Sequence, residues 1–267
     1  MKALALAFSM FSIAPVPSEP EAGSGRSRHA LRYLPFVGGT VGFVAAMGAL
    51  VVWRGYGLGS PLLGAVIAVV LCAAMTRGLH VDGLADVTDG LGSGRPAPEA
   101  LEIMRRSDIG PFGVLAIVAV ALIQIASLAS IFDVTTRWQG VVTVVVAAAS
   151  GRLAAVVAAR RGVPSARPNG FGALVAGSVE PLALTALTAA TVGVSIGLAA
   201  ASGFEAAALG WFALVLVAAQ VIAWGASVHI VRRLGGVTGD IFGALIEIAT
   251  TATLLGLAIV VVWRGHL

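Results

Sequence analysis

Between residues 76 and 91 the chain reads Thr76-Arg77-Gly78-Leu79-His80-Val81-Asp82-Gly83-Leu84-Ala85-Asp86-Val87-Thr88-Asp89-Gly90-Leu91. Asp82, Asp86 and Asp89 stand at i, i+4 and i+7. At roughly 100° per residue, a helix puts all three carboxylates on one face, within about 60° of arc. Anions that close repel one another, so the pattern makes chemical sense when a cation sits among them. Oxygen donors without cysteine suit magnesium, manganese or calcium rather than zinc or copper. A solvated acidic face, or caps around Gly83 and Gly90, is the plainer alternative. It explains less, because the chain has 13 acidic residues and places three of them here. His80 precedes Asp82 by two residues and converges with the carboxylates only if the helix begins near Asp82. A proton-transfer or phosphate-contact role for it stands beside that of a hydrogen-bonded interfacial histidine.

Three other polar segments carry candidates. Arg152 falls inside an apolar run, where a guanidinium is costly unless it meets protein, water or an anion. Residues 159–172 form a glycine-containing turn with Arg160, Arg161 and Arg167, a composition suited to phosphate oxygens. Gly235-Gly236-Val237-Thr238-Gly239-Asp240 leads into a further apolar run bearing Glu247, seven residues beyond Asp240 and on the same helix face. Asp240 reads as an N-cap or as part of the site. Glu247 reads as a partner of Arg152, a shaper of the metal site or the lining of a polar cavity. Ser107-Asp108-Ile109-Gly110-Pro111 marks a helix stop and restart, with Asp108 either capping the new helix or standing beside the acidic cluster.

The elements that must position these residues are membrane helices. The chain is 58% hydrophobic and 11% charged, far below the roughly 25% charged content of a soluble domain. Apolar runs of spanning length occur at 33–53, 58–75, 111–132, 139–159, 181–201, 207–230 and 242–263. This predicts an all-α polytopic integral membrane protein of about seven transmembrane helices, forming a single catalytic domain over 1–267. Short interfacial helices are expected at 3–14 and 97–106. A cleavable signal peptide is not expected, since Met1 to Ile13 lacks a strong basic start and Pro15, Pro17 and Pro20 follow without a clear cleavage site. Arginines gather before the first span, between spans two and three, after span four and after span six; the other loops carry only Arg54, Arg137 and Arg264. The positive-inside rule then puts the N-terminus and the acidic cluster on the cytoplasmic face of the cell (inner) membrane. A net charge of +4 without a basic domain or aromatic-basic interleaving argues against nucleic acid. Cys72 is the only cysteine, so there is no intramolecular disulfide and no thiolate metal site; inside an apolar run it reads as a small buried residue. The 34 glycines are spread along the spans, where small residues let helices approach closely, and a homo-oligomer is compatible with this pattern.

Taken together, these segments resemble the integral-membrane cobalamin synthase family, the adenosylcobinamide-GDP ribazoletransferases. The resemblance is carried by Ala14-Pro15-Val16-Pro17, by Gly78 to Asp86 with Asp89-Gly90, and by Ile103-Met104 through Ser107 to Gly110 with Phe112-Gly113. Ala166-Arg167-Pro168-Asn169-Gly170-Phe171-Gly172 and Gly235 to Asp240 continue it in order. Departures are Arg106 and Asp108, whose charges are exchanged across Ser107 relative to the family's usual pattern, which would preserve an ion pair. Asn169 stands where an acidic residue is frequent.

The resemblance implies a magnesium-dependent phosphotransferase that joins adenosylcobinamide-GDP to α-ribazole or its 5′-phosphate and releases GMP. It implies Mg2+ at Asp82, Asp86 and Asp89, and catalytic roles for these three with His80 and Asp240; a free carboxylate or His80 would accept the proton. Candidate substrate-binding residues are Arg77, Ser107, Arg152, Arg167, Thr238 and Glu247. A CDP-alcohol phosphotransferase is the nearest rival, but Asp86-Val87-Thr88-Asp89-Gly90 matches only the opening of that longer aspartate pattern. An ion-coupled transporter would need its carboxylates near the bilayer midplane.

Overall fold

A computed structural model describes residues 2–16, 24–54 and 59–265. Pro17, Pro20 and the expected start of the second span at residue 58 lie outside the described residues, as does the side chain of Arg264. Among the described residues the chain is all-α, with no strand and two isolated bridges, Arg160 with Val179 and Ser165 with Val237. Six helices are long and apolar enough to cross a membrane, and up to seven when one bent pair is counted. They are α3 (Leu34–Arg54), α7 (Pro111–Val134), α8 (Arg137–Ala158), α10 (Pro181–Ala201), α11 (Ala206–Leu234) and α12 (Gly239–Gly265).

Local sequence sets the boundaries. Pro61, Pro111 and Pro181 open α4 (Pro61–Ala74), α7 and α10 at positions where the missing N–H would have no helical partner. Thr136 and Gln139 form a reciprocal capping box at the start of α8. Gly235, left-handed at φ 82°, ends α11.

The expected second span is shorter than the apolar run that marks it. α4 covers only 14 residues, about 21 Å of helix against a hydrocarbon core of about 30 Å. Arg77 and Gly78 then both adopt left-handed backbone, at φ 54° and 69°, and break the helix. The chain turns by 84° into α5 (Leu79–Gly92), which therefore lies across the end of the bundle rather than along it. Short helices complete this end: α1 (Lys2–Phe11), α2 (Ser24–Leu31), α6 (Ala97–Ile103) and α9 (Phe171–Val175).

The central helix is α8, with 83% of its spanning window buried; it touches α3, α7, α10, α11 and α12. Small residues allow this. A Cβ at Gly42 of α3 would stand 2.9 Å from the Val144 carbonyl oxygen, and one at Gly151 of α8 would stand 2.9 Å from that of Ile246. Hydrogen bonds between helices reinforce the packing: Gln220 Nε2 of α11 donates to Ser150 Oγ at 3.0 Å, and Ser150 Oγ meets Thr253 Oγ1 of α12 at 2.9 Å. At the periphery α10 is only 11% buried.

The seat of α5 on α12 is the contact that positions the site. A Cβ at Gly83 would lie 2.5 Å from the Asp240 carbonyl oxygen, and one at Gly243 would lie 3.0 Å from the His80 Cα. Gly83→Ala should therefore push α5 off α12 at a cost of about 1–3 kcal/mol. Gly197→Ala, in open space on α10, should not destabilise. Thermal unfolding in detergent checks both, and equal melting temperatures for the two variants would contradict this packing account.

Candidate active site

One end of the bundle collects the polar segments. Ala166 donates its amide to the Val237 carbonyl at 3.0 Å and Val237 donates to Pro164 at 2.9 Å, which stitches the Arg167 turn to the Gly235–Asp240 turn. Gly236 and Gly172 permit the approach, since a Cβ on Gly172 would stand 2.6 Å from the Val237 carbonyl oxygen. From this base Arg167 spans two elements. Its Nη2 donates to the Leu101 carbonyl at 2.8 Å, and its Nη1 lies 3.5 Å from Asp240 Oδ2. Buried Thr238 donates through Oγ1 to the same Asp240 oxygen at 3.1 Å. The structure thus brings Arg167, Thr238 and Asp240 together, and Gly83 holds Asp240 against α5.

On α5, Asp82 is exposed, Asp86 is half-buried and Asp89 is buried. Burial, followed by the charges of Asp82, Asp240 and Asp89, pushes the Asp86 carboxyl up to about 7, against a smaller opposing pull from Arg167. Negative charge therefore outweighs its internal compensation here. Such a group of carboxylates suits a cation whose remaining positions are filled by water and phosphate oxygens.

Asp89 departs from the expected role. Its two oxygens accept the amides of Gly110 at 2.7 Å and Gly113 at 2.9 Å, so it caps the start of α7 from another helix. Among the described residues no three His, Cys, Asp or Glu side chains converge as a ligand set, and Asp89 is not brought into one with Asp82 and Asp86. Asp108 does not cap α7; it lines a cavity of about 300 Å³ with Asp82, Asp86, Arg105, Arg106 and Ser107. No ion pair joins Arg106 to Asp108 among the described residues. A second cavity, of about 720 Å³, lies on the other side of Asp82 and is lined by Arg77, Thr76, Met10 and Leu79.

His80, Arg152 and Glu247 belong to a different place. The helix begins at Leu79, not at Asp82, so His80 points into the protein, stacked on Phe11 with ring centroids 6.3 Å apart. Its Nδ1 lies 3.4 Å from Arg152 Nη2, which makes Nδ1 the acceptor and leaves the proton on Nε2, an atom without a partner. Burial first and the neighbouring guanidinium second hold this imidazole well below its ordinary pKa, in the neutral form. Arg152 and Glu247 make no ion pair with each other. Glu247 Oε2 instead accepts from Gln124 Nε2 at 2.9 Å. Both line a cavity of about 50 Å³ with Cys72 and Thr250, room for a few waters and not for a phosphate ester. Cys72 packs against the hydrophobic core, as expected, and also borders this small cavity. Sequence reasoning missed Gln124 and the Arg105-Arg106 pair; a lone glutamine inside an apolar span was the available signal for the first.

Fold and site define a polytopic all-α membrane protein with an acidic, arginine-rimmed cleft at one end. The family described as cobalamin-5-phosphate synthase matches residues 3–258, and the chain belongs to it. Similar proteins include one from Frankia casuarinae, 38% identical over an alignment that covers 96% of this chain and 94% of the relative. Others are from Roseiflexus sp., 34% identical with 95% and 88% covered, and Rhizobium etli, 35% identical with 95% of each covered. All three are named adenosylcobinamide-GDP ribazoletransferase. No solved structure shows a significant match. The family placement displaces the CDP-alcohol phosphotransferase and transporter readings.

The position of Asp86 has a consequence for stability. Its carboxyl titrates at about 7 when folded and near 3.9 when unfolded, so between these values the folded state binds more protons. Stability of chelator-treated protein should fall as pH rises from about 4 to about 7 and level off above. Asp86→Asn should remove part of that slope, and added magnesium should raise the melting temperature more at about pH 8 than at about pH 6. Melting curves across this range check the sign; a wild-type slope unchanged in Asp86→Asn would contradict it.

Proposed function

We propose that this protein is an adenosylcobinamide-GDP ribazoletransferase, acting at the cytoplasmic face of the cell membrane in cobalamin biosynthesis. The observation that supports it best is family membership over nearly the whole chain combined with a carboxylate group that internal cations do not neutralise. In the reaction, a hydroxyl oxygen of α-ribazole or its 5′-phosphate bonds to the cobinamide-side phosphorus of adenosylcobinamide-GDP. The bond from that phosphorus to the GMP phosphate oxygen breaks, GMP leaves with the electron pair, and the hydroxyl proton is released.

Asp82 and Asp86 suit Mg2+, which is commonly held by one or two carboxylates plus substrate phosphates. Bound there, the ion would neutralise charge on the diphosphate and on the leaving GMP. Asp240, fixed by Arg167 and Thr238, extends the acidic wall from the opposite helix. Exposed Asp82 is the carboxylate best placed to take the acceptor proton, since His80 is turned inward with its acceptor nitrogen facing Arg152. Asp89 acts by holding the start of α7 under the acidic face. Arg152 and Glu247 are positioning residues, Arg152 through His80.

Purified protein in lipid nanodiscs, given adenosylcobinamide-GDP, α-ribazole 5′-phosphate and magnesium, should release GMP and form the phosphodiester. Asp82→Asn and Asp86→Asn should each lower turnover by about 100-fold or more while the protein still folds. Absence of GMP release by wild-type protein would refute the assignment. For topology, single cysteines at Ser93, Arg161 and Arg233 in a Cys72→Ala background should all label from the cytoplasmic side of sealed cells or vesicles. Labelling split between the two sides would refute the orientation.

A further inference from the structure

Two cavities meet at Asp82, and their linings differ in kind. The larger, about 720 Å³, lies between α1, the α4–α5 turn and α7, where Met10, Leu79, Val81 and Ile117 give it an apolar wall and Arg77 its one cation. The smaller, about 300 Å³, holds Asp82 and Asp86 on one side and Arg105, Arg106 and Ser107 on the other. Asp82 and Ile117 line both. Each volume is in the range of about 300–1,000 Å³ usual for small-molecule sites.

The arginines around these cavities share their open state with Arg32, Arg232 and Arg233 at this end, but they alone line the two cavities that border Asp82. Arg160, Arg161 and Arg167 are engaged: Arg160 with Ser227, Arg161 with Glu180, and Arg167 with Asp240 and Leu101. Arg77, Arg105 and Arg106 are exposed and make no hydrogen bond or ion pair among the described residues. Arg77 is moreover the one non-glycine residue with positive φ among the described residues, and it lines the larger cavity.

We propose that the Arg77 cavity is the acceptor subsite, where Arg77 selects a 5′-phosphorylated nucleoside, and that the Arg105–Arg106 cavity takes the guanosine diphosphate end of the donor. This rests on the reaction proposed above. An acceptor nucleotide brings a flat apolar base and one phosphate, which matches an apolar wall with one guanidinium. A diphosphate brings more charge on adjacent groups, which matches two guanidiniums facing two carboxylates suited to a divalent cation. The wall shared at Asp82 is where an oxygen from one cavity can reach a phosphorus in the other. Neither cavity is assigned the corrin ring, which remains outside both.

The test measures KM for each substrate in nanodiscs, with GMP and α-ribazole 5′-phosphate binding followed separately without turnover. Arg77→Ala should raise KM for α-ribazole 5′-phosphate about tenfold or more, leave KM for unphosphorylated α-ribazole and for the donor unchanged, and be partly rescued by Arg77→Lys. Arg105→Ala combined with Arg106→Ala should weaken GMP binding and raise donor KM by a similar factor, with acceptor KM unchanged. Ser107→Trp, which fills the smaller cavity, should block GMP and spare the acceptor. Equal KM increases for both acceptors in Arg77→Ala, or loss of GMP binding in that variant, would overturn the assignment. Wild-type protein that binds both nucleotides without turnover would overturn the reaction instead, and the binding measurements would still judge the subsites.

Discussion

The close approach of α5 to α12 governs the acidic end, because it determines which way every carboxylate on α5 points. Gly83 lies where any side chain would strike the backbone of Asp240, and Gly243 answers it beneath His80. With these two glycines in register, His80 turns inward to Arg152 and Phe11. Asp86 and Asp240 come near enough for their charges to interact, and Asp89 reaches the first amides of α7. The 84° turn at Arg77 and Gly78 is the other half of this constraint. A helix continuing straight from α4 would carry its aspartates away from α12, and Arg167 would have no acidic wall to hold.

A bilayer makes unpaired charge expensive, and the protein manages its charges in two ways. Inside the bundle, Arg152, Gln124 and Glu247 line a cavity with room for a few waters, Gln124 donates to Glu247, and His80 faces Arg152. At the end of the bundle the opposite holds. Among the described residues Asp82, Asp86 and Asp240 have Arg167 as their close counter-charge, while Arg77, Arg105 and Arg106 make no ion pair with them. Folding alone would favour pairing these groups. Their separation is what an open site for charged ligands requires, since the missing partners are then supplied by substrate and cation.

Much of this was legible in the sequence. The spacing of Asp82, Asp86 and Asp89 placed them on one helix, the apolar runs gave the long spans, and the Arg167 and Thr238-Gly239-Asp240 turns were marked as polar and glycine-rich. What was not legible depends on contacts distant in sequence. Asp89 finds its partners 21 and 24 residues away, so local spacing cannot separate a ligand from a cap. Hydropathy registers 58–75 as a span because it counts apolar residues and does not register the left-handed backbone of Arg77 that follows. A pairing with Arg152 was one of three roles open to Glu247 from charge alone; Gln124, which hydropathy treats as noise in α7, takes the carboxylate, and Glu247 lines the small cavity.

Arg167 and Arg152, similar as residue types, serve different purposes. Arg167 has one edge on the Leu101 carbonyl and another facing Asp240, so it ties α6 to α12 and lowers, without cancelling, the negative charge near Asp86. Arg152 is buried beside His80 and lines neither cavity that borders Asp82. A guanidinium placed directly among Asp82, Asp86 and Asp240 would compete with a divalent cation for the same oxygens. With one arginine tethered at the edge and the other sealed within the bundle, the carboxylates keep the surplus charge on which cation binding depends.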